Sequence, residues 1–184
     1  MIAENTRSGR RELVTLKKRV SGINEAALSR FVSRAKRAAG LAGEVSVMLT
    51  SSSELQRLNR RFRGKNKTTD VLSFPAMDKA QNGLAGDIAI SAEIAAYNAR
   101  HLRHSPADEI KILVLHGILH LAGYDHERDR GEMAFKEWHL RKTLGLPIGL
   151  IERNGEKLLK AEPTEIWRRS PRKAPPRSLT RAYR

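Results

Sequence analysis

The hydrophobic and polar positions of this chain switch several times between helical and strand spacing. After Asn24, a candidate N-cap, apolar residues recur at a 3–4–3–4 spacing as far as Ala39, which predicts a helix. Residues 44–50, EVSVMLT, alternate and predict a strand. Ser51 with Glu54 matches a capping box, so a second helix is expected to follow. The apolar residues that this helix is expected to direct inward are Leu55, Leu58 and Phe62.

The following residues continue the alternation of strands and helices. Residues 70–75, DVLSFP, predict a strand, and residues 87–91, DIAIS, predict another that leads into a helix to about His101. From Ser105 the chain offers serine, proline and an acid, which is typical of a helix start, and the wide apolar face that follows predicts a central buried helix. A last helix is expected at about 129–144. The pattern predicts an α+β fold, a small mixed β-sheet packed with about five helices.

The composition divides the chain into three parts. Residues 1–22 are polar and basic with little periodicity, and they predict a basic N-terminal arm or an irregular first element. Residues 23–145 carry the periodic segments and form the predicted folded domain. Residues 146–184 turn basic and proline-bearing, which predicts a flexible C-terminal extension that need not pack.

The chain is strongly positive. It has 35 lysines and arginines against 20 aspartates and glutamates, a formal net charge of +15. Such an excess indicates an anionic partner, which can be nucleic acid, a ribonucleoprotein or an anionic membrane surface. The lack of cysteine excludes disulfides and thiolate metal sites. Because the sequence shows neither a secretory signal nor an apolar run long enough to span a bilayer, we expect a soluble cytoplasmic protein.

One segment, HGILHLAGYDH at 116–126, carries three histidines at a spacing typical of a metal site. His116 and His120 lie four residues apart and so share one face of the central helix. Gly123 can adopt the left-handed backbone that turns the chain, which lets His126 reach the same point. Three imidazoles with an open fourth position describe a catalytic zinc site, although nickel, copper or iron could occupy it. We therefore predict one Zn²⁺ per chain at the end of the central helix.

The residues around these histidines bear on the reaction. Zinc proteases of this spacing carry a glutamate directly after the first histidine, where it acts as the general base. Here that position is Gly117, which weakens the protease interpretation and favours phosphodiester cleavage, where metal and arginine stabilise charge on phosphate oxygens. Asp125 and Glu127 flank His126 and are candidates for orienting the ligands. The histidines expected to have surface or packing roles are His101, His104 and His139.

The chain resembles the YbeY family of bacterial endoribonucleases. The resemblance rests on HGILHLAGYDH, on LNRRFRGKNKTTDVLSFP at 58–75 and on GDIAIS at 86–91, and it covers residues 23–145. Met133 and Glu137 also fit the family pattern. The resemblance implies a catalytic domain with a bound zinc ion and a catalytic arginine. The residues that match are His116, His120 and His126 for the metal and Arg63 for the arginine.

The resemblance also implies a substrate and partners. Members of the family cleave single-stranded RNA in rRNA maturation, at the 3′ end of the small-subunit rRNA, and take part in ribosome quality control. The expected partners are rRNA and the ribosome or ribosomal proteins. Two positions depart from the family pattern, with Asn66 in place of aspartate and Thr68 in place of proline. The residues expected to hold the RNA backbone are Arg60, Arg61, Lys65 and Lys67.

Two other classes of function stay open. One is a zinc metalloprotease-like hydrolase in which a carboxylate from elsewhere replaces the missing base. The other is a non-catalytic ribosome-assembly factor whose metal is structural. The sequence favours the single-strand-specific endoribonuclease, and it leaves the nucleophile, water or the ribose 2′-hydroxyl, undecided.

Overall fold

The computed structural model describes residues 13–77 and 83–147. In chain order the elements are β1 (Val14–Leu16), α1 (Glu25–Ala39), β2 (Glu44–Thr50), α2 (Ser52–Arg63), β3 (Val71–Pro75), β4 (Leu84–Ser91), α3 (Ala92–Leu102), α4 (Pro106–Leu121) and α5 (Glu132–Leu144). The predicted α+β class, a small mixed sheet packed with helices, is confirmed. Most of the extension predicted at 146–184 lies outside the described residues, as do residues 1–12.

The four strands form one sheet in the order β1-β2-β4-β3. β1, β2 and β4 are parallel to one another, and β3 runs antiparallel to β4. Part of the segment expected to be an arm or an irregular first element is instead the strand β1. Val14 pairs with Val47 of β2, and Leu16 pairs with Leu49. β3 lies at the opposite edge of the sheet from β1.

The edge position of β3 determines where one carbonyl points. The N–H of Ser91 donates to the carbonyl of Asp70, and that of Ala76 donates to Ala85, so the even-numbered residues of β3 bond to β4. In an antiparallel pair the residues between them turn their backbone groups away. The carbonyl of Ser73 therefore faces the open edge.

The two faces of the sheet are buried to unequal depth. The large core lies against α1 and α4 and includes strand residues such as Val47, Leu49 and Ile90. A smaller cluster lies on the other face under α2 and consists of Leu55, Leu72 and Ala89, with Met48, Leu58 and Phe74 at its border. Because neighbouring strand residues point to opposite faces, Ser73 lies on the α4 side and Phe74 on the α2 side.

α4 is the central helix that the sequence predicts. Ser105 caps it, since its Oγ accepts a hydrogen bond of 3.0 Å from the N–H of Asp108. The helix packs directly on the sheet at Gly117, where a Cβ atom would lie 2.9 Å from Cδ1 of Ile88 and 3.0 Å from Oγ of Ser73. Distances this short leave no room for a side chain at 117 unless the side chains of Ile88 and Ser73 shift.

The expectation for α2 is correct except at its last turn. Ser51 caps the helix, Leu55 is buried, and Leu58 is partly buried against the small cluster. The prediction that Phe62 points inward is wrong, because the residue is 58% exposed. Phe62 lies beyond the small cluster and contacts its border residue Phe74, with the ring centroids 5.3 Å apart.

Candidate metal centre

Three histidines converge at the C-terminal end of α4. One ring nitrogen from each of His116, His120 and His126 lies within 4.8 Å of the other two, so the group could hold a metal ion. His116 is buried, His120 is partly buried and His126 is exposed on the loop after the helix. The structure thus brings together the three residues that the spacing singles out.

Hydrogen bonds fix the tautomers of the two helical histidines. Nδ1 of His116 lies 3.0 Å from Oε2 of Glu137, and Nδ1 of His120 lies 3.0 Å from the carbonyl oxygen of Tyr124. An ionised carboxylate and a carbonyl can only accept, so both Nδ1 atoms carry the proton and donate. Each ring therefore presents an unprotonated Nε2, which is the form of imidazole that binds metals.

The distance between these two nitrogens fits a shared ion. Nε2 of His116 and Nε2 of His120 lie 3.1 Å apart. A tetrahedral zinc with Zn–N bonds of 2.0–2.1 Å would hold two of its ligands roughly 3.3 Å apart. Two lone pairs directed at each other over this distance repel, and a cation between them removes the repulsion. The donor set and its geometry therefore fit a divalent metal.

The electrostatics keep His120 ready to bind. Burial, together with the neighbouring His116 and His126, lowers the pKa of His120 to about 4. His120 is consequently neutral at physiological pH, so it can bind a metal without first releasing a proton.

The turn after α4 serves the histidines. Gly123 has a φ of +95°, and the next N–H, that of Tyr124, donates to the carbonyl of Leu119. A left-handed glycine at a helix end is the usual way to reverse the chain. The turn places the carbonyl of Tyr124 against His120 and sends the chain back toward His126.

Glu137 is a site residue for which no role is predicted from the sequence. Its side chain is 2% exposed, and Oε1 is buried without a hydrogen-bond partner in the described part of the chain. The orienting role expected of Asp125 lies with Glu137 and with the Tyr124 carbonyl instead. Asp125 accepts from the N–H of Glu127 and pairs with Arg128. A sequence signal did exist, because Met133 and Leu140 flank Glu137 at helical spacing and are buried with it.

Gly117 cannot be exchanged for a base. Any side chain there would point into β3 and β4, where Ile88 and Ser73 already fill the space. The glycine after His116 therefore fits the close packing of α4 on the sheet, which a glutamate would disturb.

Arg63 lies at the open edge of β3. Its Nη2 is 3.4 Å from the carbonyl oxygen of Ser73, the residue whose Oγ adjoins Gly117 on the other side of the strand. Strand β3 thus lies between the exposed Arg63 and the turn of α4 that carries His116. Around Arg63 the exposed basic residues are Arg60, Arg61, Lys65 and Lys67.

Residues 6–145 match a family model described as Endoribonuclease YbeY. The chain belongs to the endoribonuclease YbeY family. The Endoribonuclease YbeY of Koribacter versatilis (strain Ellin345) is 55% identical over 149 residues, which are 81% of this chain and 96% of the relative. That of Solibacter usitatus (strain Ellin6076) is 46% identical over 140 residues, 76% of this chain and 92% of the relative.

The fold agrees with a solved structure. The solution structure of TM1509 from Thermotoga maritima has a TM-score of 0.52 and 29% identity, and the match covers 82% of this chain and 98% of that one. The predicted YbeY membership and its endoribonuclease function are confirmed, in preference to the metalloprotease and the assembly factor. Within the described ranges, no helix has the length and hydropathy to cross a bilayer.

The two departures from the YbeY pattern lie in a loop that folds back on α2. Nδ2 of Asn59 donates to the carbonyl of Lys67 at 2.8 Å, and Nε2 of Gln56 donates to Oδ1 of Asn66 at 3.2 Å. Asn66 therefore has a local partner, and the loop beside Arg63 is held at two points. Thr68 is exposed.

The remaining histidines lie outside the cluster. The ring of His101 packs on Tyr97 with centroids 3.9 Å apart, and His139 is exposed on α5. His104 donates through Nε2 to the buried carboxylate of Glu109 at 2.7 Å, which is a packing role between α3 and α4.

Proposed function

We propose that this YbeY-family chain cleaves single-stranded RNA with one Zn²⁺ held by His116, His120 and His126. The observation that carries the proposal is the pair of Nε2 atoms, 3.1 Å apart and both deprotonated because their Nδ1 atoms donate elsewhere. When bound, zinc would supply a Lewis acid that stabilises charge on a phosphate oxygen or activates the attacking group.

Arg63 would be the second charge-stabilising group. One guanidinium nitrogen donates to Ser73, and the other donors of the planar fork are available on the exposed edge of β3. Guanidinium binds phosphate oxygens through paired, charge-assisted hydrogen bonds. A phosphodiester held there would meet positive charge as negative charge develops on its oxygens.

The basic residues near Arg63 would position the RNA. Arg60 and Arg61 lie on the last turn of α2, and Lys65 and Lys67 lie on the loop that Asn59 holds. Contacts of this kind fix the register of the strand and carry no sequence information.

The natural substrate would be ribosomal RNA. Membership of the YbeY family and a net charge of +15 both support ribosomal RNA as the substrate. We therefore infer action at the 3′ end of the small-subunit rRNA and in ribosome quality control, contact with the ribosome or ribosomal proteins, and a cytoplasmic location.

The test is cleavage of an unstructured RNA by the full chain with its metal content measured. Arg63→Ala and His120→Ala should each lose cleavage, and a chelator should abolish it in the wild type. Arg57→Ala is the matched control, because it removes one arginine from the same helix where it pairs with Glu54. Circular dichroism confirms that each variant is folded.

Two results would contradict the proposal. One is equal cleavage by the wild type and the two site variants, which would show that neither Arg63 nor the histidine site takes part in cleavage. The other is a zinc-loaded, folded wild type that cleaves no RNA while His120→Ala unfolds, which would identify a structural metal.

A further inference from the structure

Phe62 is an exposed aromatic residue in a strongly basic setting. It directly precedes Arg63, and the residue is 58% exposed to solvent. Arg60, Arg61 and Lys65 lie within three residues of it and are also exposed. The exposed surface of this large apolar ring gains nothing for folding, and the cations around it suit an anionic partner.

The ring is held in place although it is exposed. Phe62 and Phe74 form an edge-to-face pair with centroids 5.3 Å apart and planes at 64°. The guanidinium of Arg61 lies over the Phe62 ring at 5.3 Å from its centroid. Despite these two contacts the residue is 58% exposed, so a large part of the ring stays open to solvent. The result is an aromatic ring that is supported by its neighbours and accessible from outside.

We propose that Phe62 is a stacking platform for an unpaired base of the RNA substrate. The inference rests on the proposed function and adds the contact by which the site would recognise single strands. The partner follows from charge complementarity. The bases of an RNA strand can stack on the aromatic ring, and its phosphates can pair with the surrounding cations. Phe62 would position the strand so that the adjoining phosphate meets Arg63.

Stacking on Phe62 explains selection against duplexes. In a double helix each base is covered on both faces by its neighbours, so it cannot lie on a protein ring without leaving the stack. An unpaired base carries no such cost. A single aromatic contact therefore distinguishes the two forms of RNA without reading the sequence.

The test is the affinity of the chelator-treated full chain for a labelled single-stranded oligoribonucleotide. Phe62→Leu keeps an apolar contact with Phe74 and removes the π-face, so the fold should persist while the affinity falls about 5- to 150-fold, as for one lost base stack. Phe62→Trp should retain binding, and its fluorescence should change when RNA is added. The matched control is Tyr97→Leu, because Tyr97 is an aromatic residue of similar exposure, 54%, on α3.

An abasic oligonucleotide of the same length separates stacking from charge. Phe62→Leu should bind it as the wild type does, with an unchanged dependence on salt. Lys65→Ala should weaken binding to both oligonucleotides and reduce the salt slope by about 1. The wild-type preference for single-stranded over duplex RNA should shrink in Phe62→Leu.

The outcomes also distinguish this inference from the proposed function. If the wild type neither binds nor cleaves RNA, the proposed function itself is wrong. If the wild type binds and Phe62→Leu matches it on the single strand, the platform does not exist. Equal losses on normal and abasic strands would likewise overturn stacking, because they would trace the effect to the backbone contacts.

Discussion

Replacing Glu137 tests whether the metal centre depends on its supporting hydrogen bond. Glu137 lies on α5, is 2% exposed, and accepts from Nδ1 of His116 at 3.0 Å. Two substitutions separate the effect of its charge from the effect of its hydrogen-bond acceptor. Glu137→Gln keeps an acceptor oxygen and loses the charge, whereas Glu137→Met keeps the length of the side chain and loses the acceptor.

The expected magnitudes follow from the geometry. Removing a carboxylate that orients a ligand histidine lowers metal affinity about 10- to 100-fold, and we expect this for Glu137→Met. Charge-assisted hydrogen bonds are roughly twice as strong as neutral ones, so Glu137→Gln should lose about 1 kcal/mol, or about fivefold in affinity.

The metal-free fold should respond differently. The carboxylate is desolvated, and its Oε1 has no hydrogen-bond partner among the described residues, so the charge itself adds little to the stability of the apoprotein. We expect the free energy of unfolding of metal-free Glu137→Gln to stay within about 1 kcal/mol of the wild type.

The measurement is a competition titration with a chelator of known affinity, read with Zn²⁺ and with Co²⁺, whose absorption reports the ligand set. Chemical denaturation of the chelator-treated proteins gives the free energy of unfolding without metal. The reasoning is refuted if both variants bind metal as tightly as the wild type, or if they lose apoprotein stability in proportion to affinity.

Other perturbations give further expected results. Gly117→Ala gains about 1 kcal/mol of helix propensity and loses about 1–3 kcal/mol to overpacking against Ile88 and Ser73, so its melting temperature should fall; a rise would show that α4 can move away from the sheet. Gly123→Ala places a Cβ at a φ of +95°, which costs about 1–2 kcal/mol, and it should weaken metal binding; unchanged binding would separate the turn from the site. The lowered pKa of His120 means that the unfolded chain takes up this proton first, so metal-free stability should fall as the pH drops from about 6.5 to about 4. Denaturation at several pH values should show a weaker slope for His120→Gln, and an identical slope would contradict the assignment. Free zinc at 100 times its dissociation constant should stabilise the wild type by about 2.7 kcal/mol, seen as a higher melting temperature than in chelator; no shift would mean no site.

Local patterns predicted most of the fold. Asn24, Ser51 and Ser105 act as the N-caps expected of them, because a cap depends on a few neighbouring residues. The last helix begins at Glu132 and not at 129, since Asp129 uses its carboxylate to cap the turn at Gly131 and Met133. Such competition between side chain and helix is local too, but spacing alone does not reveal it.

Contacts between segments that are distant along the chain could not be predicted from the sequence. The short β1 exists because it pairs with the centre of β2, not because its three residues form a strong pattern. Phe62 has the helical spacing of a core residue, yet it contacts only the border of the small cluster at Phe74 and stays exposed. Glu137 lies 21 residues from His116, so only the packing of α5 on α4 shows their contact.

Gly117 shows how packing and chemistry are linked in this site. From the sequence, the glycine at 117 indicates the type of reaction, because a glycine supplies no general base. The structure adds a packing reason for the glycine, since α4 lies so close to Ser73 and Ile88 that a side chain at 117 would meet them before it could reach the histidines. The same close approach brings the His116 turn beside β3, whose open edge carries Arg63. A helix moved outward to admit a glutamate would separate the histidines from that edge. The proton acceptor for RNA cleavage must therefore come from outside position 117, from the loop around His126, from solvent or from the RNA itself.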